Sequence, residues 1–277
     1  MDIFAEKYLH PGFDKPIKKH FKKYFDTVFI SFSPFFKLNS DKEKDRKFQK
    51  SNIITFSELK NEVDIIKDIP QINAEVFSYQ NDKYPDYDEI LSEGVEVKWE
   101  EIRKGCNFDE IRDVNKALKT SIGAYRKAFR KEELSKKLIE FANSNQIFFP
   151  TEGHFEVLSK VKIYRSLQLL GKSNVIVEDE FYQNKKEIII KDMSEKEFVD
   201  IIEFKDYYIY DIDKTLLFSV GWDDFFFLIC STDEMISKTI NEIDFEGIYC
   251  DENTETGWEM TKEEIEEGWK KEGKVNP

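Results

Sequence analysis

Residues 207–258 are the most apolar stretch of the chain and read YYIYDIDKTLLFSVGWDDFFFLICSTDEMISKTINEIDFEGIYCDENTETGW. Two runs rich in aromatic and β-branched residues flank the polar turn 221–224, and a helical pattern separates them from a third apolar run. Such runs bounded by polar turns are typical of strands. The stretch therefore predicts two strands, a short helix and a further strand. We place it at the centre of a mainly antiparallel C-terminal sheet over 174–258.

The rest of the chain predicts an α+β fold, in which helices pack on a mixed, mainly antiparallel sheet. Further strands are expected at 27–36, 52–56, 74–79, 174–181 and 187–191, and residues 95–99 fit either a brief strand or the entry to a helix. Helices are expected at 57–67, 86–92, 109–130, 132–142, 152–170, 194–204 and 261–271. The order strand, helix, strand over 146–181 resembles a βαβ crossover, whose strands would be parallel.

The size and composition of the chain predict one domain. It has 277 residues, of which 40% are hydrophobic and 15% aromatic, enough for a large, aromatic-rich core. No internal repeat or low-complexity linker divides it. We therefore expect a single α+β domain over 1–277, with a helix-rich part at 1–150, a sheet-rich part at 151–260, and a peripheral helix and tail at 261–277.

The negative charge is concentrated in the C-terminal third. The whole chain carries a net charge of −14, whereas residues 174–277 alone hold 11 Lys and Arg against 28 Asp and Glu, a net charge of −17. Phosphate contacts require Lys and Arg, so we expect no nucleic-acid binding there. The charge suits a basic protein partner or a metal ion, and an acidic surface also serves solubility.

Three features of the sequence indicate a cytoplasmic protein. The N-terminus, MDIFAEKYLH, has acidic residues and lacks the apolar segment of a secretory signal. No apolar run approaches the ~18 residues that a membrane helix needs. The three cysteines, Cys106, Cys230 and Cys250, are widely spaced and form neither a disulfide framework nor a C-x-x-C pair. We expect reduced, buried thiols and no contact with a membrane.

The segment Asp211-Ile-Asp213-Lys-Thr215 resembles the first motif of haloacid dehalogenase-like phosphatases. The resemblance implies a nucleophile at Asp211, a general acid at Asp213, and magnesium bound by their carboxylates. However, only 62 residues follow Thr215, and the chain continues as a strand where that family has a loop and a helix. The same residues suit a polar hairpin turn between two strands, which is the interpretation we prefer.

A second acidic group supplies the candidate binding residues. It consists of Glu178, Asp179, Glu180, Asp223 and Asp224. Converging carboxylates bind Mg²⁺ or Ca²⁺, but alternation along a strand places Glu178 and Glu180 on one face and Asp179 on the other. We therefore expect an acidic binding surface rather than a metal site, with solvated strand ends as the plain alternative.

The histidines give no sign of a metal or catalytic site. His10, His20 and His154 are far apart in the sequence and show no metal-ligand spacing. His154 lies at the predicted start of a helix, where a polar capping role is sufficient, and no Ser-His-Asp or Cys-His arrangement stands out. We predict no metal, no cofactor and no catalytic residue. The exception is magnesium with Asp211 and Asp213 in the phosphatase alternative.

Several short phrases along the chain are jointly distinctive. They are FISFSPF at 29–35, PTEGHF at 150–155, VEDEF at 177–181, FLICS at 227–231 and FEGIYC at 245–250. Together they resemble a family of bacterial cytosolic proteins that is designated only as a domain of unknown function. The resemblance covers most of residues 25–258. It implies a single unit with no known activity, so it transfers no catalytic residue to this chain.

From these observations we predict a non-enzymatic cytoplasmic protein that binds another protein. One concrete form is an immunity- or antitoxin-like inhibitor whose acidic C-terminal third covers a basic active site, with electrostatic steering speeding the encounter. The alternative is a magnesium-dependent phosphatase or other hydrolase that uses Asp211 and Asp213. The position of Asp211 discriminates between the two, because the phosphatase needs it at the mouth of a parallel sheet. The sequence leaves the oligomeric state open.

Overall fold

The computed structural model describes residues 2–12, 15–39, 50–55, 75–80 and 84–273, with only the backbone described for 50–55 and 75–80. Its strands are β1 (Thr27–Phe32), β2 (Phe35–Leu38), β3 (Lys50–Thr55), β4 (Glu75–Gln80), β5 (Gly94–Val97), β6 (Asn174–Asp179), β7 (Lys185–Ile189), β8 (Asp206–Asp211), β9 (Leu217–Val220), β10 (Phe226–Ser231) and β11 (Gly247–Tyr249). Its helices are α1 (Ile17–Phe21), α2 (Tyr87–Glu93), α3 (Trp99–Gly105), α4 (Arg112–Ser121), α5 (Glu132–Asn145), α6 (Val157–Leu169), α7 (Glu195–Ile201), α8 (Asp233–Ile243) and α9 (Lys262–Lys271), and Lys127–Phe129 form a 3-10 turn.

A seven-stranded sheet in the order β11-β1-β10-β9-β8-β6-β7 contains the predicted C-terminal strands. Strands β2 and β5 form a second sheet, and β3 and β4 form a third. Every pairing in the described part of the chain is antiparallel. The predicted α+β class is therefore confirmed. The predicted βαβ crossover is wrong, because residues 146–149 contribute no strand to the seven-stranded sheet.

The two faces of the seven-stranded sheet are covered differently. On one face, Phe155 precedes α6 and packs edge-on against Phe227 of β10, with ring centroids 5.6 Å apart. On the other face, Phe4 of the N-terminal segment lies 5.0 Å from Tyr210 of β8. The largest fully buried side chains are all aromatic, which confirms the expected aromatic-rich core. Successive side chains of β8 point to opposite faces of the sheet, so they alternate between the helices and the N-terminal segment.

Several predicted boundaries shift for identifiable reasons. The strand predicted at 27–36 is two strands, β1 and β2, because Pro34 lacks the N–H that a continuous ladder requires. The helix predicted at 109–130 is also interrupted, since α4 ends at Ser121 and Gly123 has a φ of +74°. The helix start predicted at Ser194 is confirmed by a capping box between Ser194 and Glu197. The predicted helix 57–67 lies outside the described residues.

The chain divides into two compact units. The first contains residues 1–39, 85–99 and 149–258, and the second contains 40–84, 100–148 and 259–277. The first unit holds the seven-stranded sheet and every candidate site residue named above. The single domain over 1–277 stays a prediction. Among the described residues, no helix has both the length and the apolar character needed to cross a bilayer.

Candidate functional site

Asp211 is the last residue of β8 and lies in the tight hairpin turn that leads to β9. Its carboxylate is 2% exposed. One oxygen accepts hydrogen bonds from Lys172 Nζ (2.6 Å) and Thr215 Oγ1 (2.6 Å). The other accepts the backbone N–H groups of Thr215 (2.7 Å) and Leu216 (2.8 Å). The predicted hairpin turn is confirmed, and Asp211 closes it.

The chemistry of this turn is that of a structural carboxylate. Burial works to raise the pKa of Asp211, but the hydrogen bonds from Lys172, Thr215 and Leu216 outweigh it and hold that pKa below its usual value. A carboxylate offers about four lone-pair directions, and all four are taken here. Asp213 is exposed in the same turn. The geometry therefore gives the phosphatase alternative no support.

The candidate binding acids all lie at the opposite end of the sheet, where β6 and β9 end and β8 and β10 begin. Two of them are engaged internally. Glu178 accepts a hydrogen bond from the Tyr210 hydroxyl and forms an ion pair with Lys185 (3.1 Å). Asp179 accepts the backbone N–H of Asn184 (3.0 Å) and so shapes the turn between β6 and β7. These two carboxylates stabilise the strand end.

The other three candidates lie in the neighbouring turns. Asp224 is buried, with its carboxylate 3.9 Å from His10 Nε2, and its backbone oxygen accepts the N–H of Gly153 (3.0 Å). Asp223 and Glu180 are half-buried. Burial raises the pKa of Glu180, and the charge of Asp179 acts in the same direction. Glu180 and Asp223 are therefore the members of the predicted set that face outward.

Three exposed aromatic side chains accompany these acids. They are Phe181, Phe204 and Trp222, which are 66–69% exposed. The ring of Phe204 lies 4.6 Å from that of His154, and a Cβ on Gly153 would lie 3.9 Å from the Cα of Trp222. The Glu180 N–H donates to the carbonyl of Lys205 (3.3 Å), which brings the loop of Phe181 beside that of Phe204. We call this surface, formed by residues 152–154, 180–181, 204–207 and 222–223, the acidic end.

Tyr207 lies at the centre of the acidic end. The residue as a whole is 5% exposed, and its hydroxyl, which makes no hydrogen bond with any described residue, keeps contact with solvent. A Cβ on Gly153 would lie 3.4 Å from that hydroxyl. Burial raises the pKa of Tyr207 to about 12. The charges of three carboxylates act in the same direction on this pKa, those of Glu180, Asp223 and Glu152.

The sequence offered little sign of this arrangement. Glu152, Tyr207, Phe181 and Phe204 converge only because antiparallel pairing brings loops that are distant in sequence to one end of the sheet. One usable signal was present, since Trp222 is a large apolar residue inside a polar turn. Isolated exposed hydrophobic residues are common, however, so such a residue alone does not identify a site.

The loop before α6 contains a hydroxyl, an imidazole and a carboxylate in contact. Thr151 donates through its backbone N–H and its hydroxyl to the buried Glu156, and its Oγ1 lies 2.6 Å from His154 Nε2. In a catalytic triad the imidazole lies between the hydroxyl and the carboxylate. Here the hydroxyl is in the middle, and His154 Nδ1 faces the carbonyl of Glu152 (2.9 Å). The contacts fix the loop.

This loop also corrects two sequence predictions. The helix predicted to start near Glu152 begins at Val157 instead, because residues 151–156 form the hydrogen-bonded loop and Gly153 has a φ of +71°. His154 consequently does not cap a helix. Its role is to bridge Thr151 and Phe204. The loop thereby carries Glu152 to the acidic end.

Comparison with known proteins places the chain in a family. The family model described as "Protein of unknown function (DUF2711)" matches residues 14–260, which is most of the 277 residues. The chain belongs to the DUF2711 family. It is also similar to the "Uncharacterized protein YwbB" of Bacillus subtilis (strain 168), with 26% identity over 178 residues that cover 63% of this chain and 77% of the relative. No solved structure gives a significant match.

The family assignment confirms the resemblance drawn from the sequence phrases. The matched residues of this DUF2711 protein include both the Asp211 turn and the whole acidic end. In the described part of the chain, no three His, Cys, Asp or Glu side chains are grouped so that they could hold a metal ion.

The left-handed backbone at Gly153 leads to a testable prediction. Gly153→Ala is expected to lower the free energy of unfolding by about 1–2 kcal/mol, because a Cβ is disfavoured at positive φ. Gly171→Ala is the matched control, since Gly171 has a φ of +65° and no atom within 4 Å of an added Cβ. Urea unfolding should show similar losses for both variants. A loss confined to one of them would contradict the backbone explanation.

Proposed function

We propose that this protein acts in the cytoplasm by binding another protein through the acidic end. The observation that carries the proposal is the grouping of Phe181, Phe204 and Trp222, all largely exposed, beside carboxylates. Large aromatic side chains are usually buried, and contiguous exposed apolar groups rimmed by polar ones are typical of protein interfaces. Trp is among the residues that contribute most to binding energy at such interfaces.

The charge of the acidic end favours a partner with a basic surface. Glu152 and Glu180 form no ion pair with any described residue, so their charges are not neutralised within this part of the chain. The surrounding C-terminal third, residues 174–277, carries a net charge of −17. Such a field speeds the encounter with a basic protein and makes it sensitive to salt. An immunity- or antitoxin-like inhibitor that covers a basic active site is one form of this function.

The proposal predicts that substitutions at the acidic end weaken binding without unfolding the protein. Trp222→Ala is expected to cost about 2 kcal/mol of binding free energy, roughly a thirtyfold rise in Kd. Glu180→Lys reverses a charge on the same surface and should slow association, most clearly at low salt. The measurement is affinity capture from a lysate of the source cells, with wild type and both variants as bait. Elution by salt and quantitative mass spectrometry identify proteins whose retention depends on the acidic end.

Matched controls lie at the other end of the sheet. Ile212→Ala removes an exposed apolar side chain next to the Asp211 turn, and Glu234→Lys reverses an exposed charge on α8. Both control baits should retain the same partner as the wild type. If every protein that the wild type captures is captured equally by the Trp222 and Glu180 variants, the acidic end is not the binding surface and the proposal fails.

A further inference from the structure

The N-terminal segment carries a basic surface that the proposed function does not use. The described residues 2–12 and 15–26 hold six lysines against three acidic residues, on a chain whose net charge is −14. Exposed lysines of this segment and of the Asp211 turn form the surface, which we call the lysine face: Lys15, Lys19, Lys22, Lys23 and Lys214. None of them forms an ion pair with a described residue. Their charges can therefore act on a partner.

Aromatic rings make the lysine face continuous. Lys23 Nζ lies 5.5 Å from the ring centroid of Tyr24, and Lys214 Nζ lies 4.7 Å from that of Phe4. The two rings pack edge to face, with centroids 5.3 Å apart. Contacts of this kind keep the lysine stems on apolar surface while the ammonium groups stay in water. Lysines that are distant in the sequence therefore belong to one surface.

The segment that carries most of the lysine face also runs along the acidic end. The backbone N–H of Leu9 donates to the hydroxyl of Tyr182 (2.8 Å), and Tyr182 directly follows Phe181 of the acidic end. The next residue, His10, places its Nε2 3.9 Å from the carboxylate of Asp224, in the turn that contains Trp222. A positive surface and a negative surface with exposed aromatic rings are therefore neighbours on the first unit.

Neighbouring surfaces of opposite sign select a partner that carries both signs. A nucleic acid at the lysine face would also meet the carboxylates of Glu180 and Asp223, and juxtaposed like charges are destabilising. A second copy avoids this conflict. A two-fold axis between the copies can place the positive surface of each on the negative surface of the other, since a two-fold contact is reciprocal. Charge complementarity therefore favours a second copy over a polyanion.

We propose that two copies of this protein associate about a two-fold axis, with the lysine face of each copy on the exposed aromatic rings and carboxylates of the other's acidic end. The inference rests on the proposed protein-binding function and names the partner as a second copy. Phe181, Phe204 and Trp222 would be covered by lysine stems, and their ring faces would attract the ammonium groups. Glu152 and Glu180, which form no ion pair with a described residue, would gain one.

Sedimentation velocity of the full chain at about 0.1 M salt, where the screening length is about 10 Å, measures this association. We expect a wild-type dimer with a Kd below about 100 µM, at the weak end of specific association. One double variant, Lys19→Glu with Lys22→Glu, reverses the lysine face. A second, Glu152→Lys with Glu180→Lys, reverses the acidic end. Each should raise the Kd at least about thirtyfold, because like charges then face each other. A wild type that stays monomeric up to about 200 µM would overturn the inference.

A mixture of the two reversed variants is the decisive experiment. In the mixed pair, the intact acidic end of one copy meets the intact lysine face of the other, and the two reversed surfaces also meet with opposite signs. The mixture should therefore dimerise with a Kd near that of the wild type, although neither variant dimerises alone. Recovery in the mixture also shows that both variants are folded. A mixture that stays monomeric, or a variant that dimerises as the wild type does, would contradict the pairing of the two surfaces.

The matched control reverses two exposed lysines outside both surfaces. Lys136→Glu with Lys137→Glu on α5 changes the net charge as much as the lysine-face variant does and should leave the Kd of the dimer unchanged. Fluorescence anisotropy with a single-stranded RNA tests the polyanion. An RNA that binds the wild type more tightly than a second copy does, and that the lysine-face variant no longer binds, would overturn the inference and assign the lysine face to a nucleic acid.

The outcomes separate this inference from capture of a foreign protein. A monomeric wild type that still captures a lysate protein, which the Trp222 variant loses, would support the proposed function and refute the second copy as its partner. A dimer that the charge reversals dissociate, with no other protein captured from the lysate, would support the second copy and refute a foreign basic partner.

Discussion

Asp211→Ala is expected to lower the free energy of unfolding by about 3 kcal/mol. The substitution removes four hydrogen bonds from the turn between β8 and β9, and it leaves Lys172, Thr215 and two backbone N–H groups without their acceptor. Removing one partner of a buried charged pair is costly because the other partner is left desolvated. Urea unfolding at neutral pH, followed by circular dichroism, measures the loss.

The neighbouring residue of the same motif provides the control. Asp213 is exposed, so Asp213→Asn should change the free energy of unfolding by less than about 0.5 kcal/mol. With magnesium and generic phosphoesters, wild type and Asp211→Asn should both show background turnover. Turnover that depends on Asp211 in a folded protein would revive the phosphatase alternative and contradict the structural role.

The lowered pKa of Asp211 gives the same turn a defined pH dependence. The pKa lies below its usual value of 3.8 in the folded protein and returns to that value on unfolding. The contribution of Asp211 to stability is therefore fully present above 3.8 and is lost as the pH falls through the lower folded-state pKa. The difference in stability between wild type and Asp211→Asn should shrink over that range. A difference that stays constant from neutral pH to pH 3 would show that the charge of Asp211 does not matter.

Lys119→Met, a substitution within the second unit, is expected to lower the free energy of unfolding by about 3–5 kcal/mol. This loss is at least as large as that expected for Asp211→Ala. Lys119 on α4 and Glu259 before α9 form an ion pair at 3.2 Å, and their side chains are 6% and 2% exposed. Glu259 also accepts a hydrogen bond from the Tyr125 hydroxyl (2.6 Å), and its second oxygen has no partner among the described residues. Without Lys119 a buried carboxylate would retain that single hydrogen bond. Urea unfolding of the variant and the wild type tests the prediction.

A control and a second variant identify the cause of that loss. Lys136→Met removes an exposed lysine from α5 and should be nearly neutral. Adding Glu259→Gln to Lys119→Met removes the uncompensated charge, so the double variant should be more stable than Lys119→Met alone. The Glu259→Gln single variant completes the comparison. If the double variant loses as much free energy of unfolding as the two single variants lose together, the two side chains do not interact and the ion pair is not the origin of the effect.

The sequence predicted the parts of the fold that depend on local pattern. Alternating and aromatic runs located β8, β9 and β10, and the cap at Ser194 located α7, because these signals lie within a few neighbouring residues. The position of β1 in the middle of the sheet, between β10 and β11, was not predictable in this way. Pairing between strands about 200 residues apart leaves no mark on either strand alone.

The candidate site likewise combines features that local sequence pattern predicts with features that depend on the folded sheet. The acids Glu180 and Asp223 were identified from composition, whereas the internal roles of Glu178 and Asp179 depend on Tyr210 and Asn184, whose positions only the folded sheet defines. The sequence places Tyr207 in an apolar strand, and the residue is indeed buried in β8. The sequence gives no sign that the loop before α6 approaches its hydroxyl, whereas in the fold a Cβ on Gly153 would lie 3.4 Å from that hydroxyl.

The hydrogen bonds around Asp211 have a consequence for how DUF2711 sequences should vary. Lys172, Asp211 and Thr215 satisfy one another, and Lys172 also donates to the Thr215 hydroxyl (2.7 Å). A change at one of the three leaves the other two with unmet hydrogen bonds, so substitutions at these positions should occur together among relatives. Asp213 makes no such bond and should vary freely. Covariation of residues 172, 211 and 215, with drift at 213, would be the evolutionary record of a turn rather than of an active site.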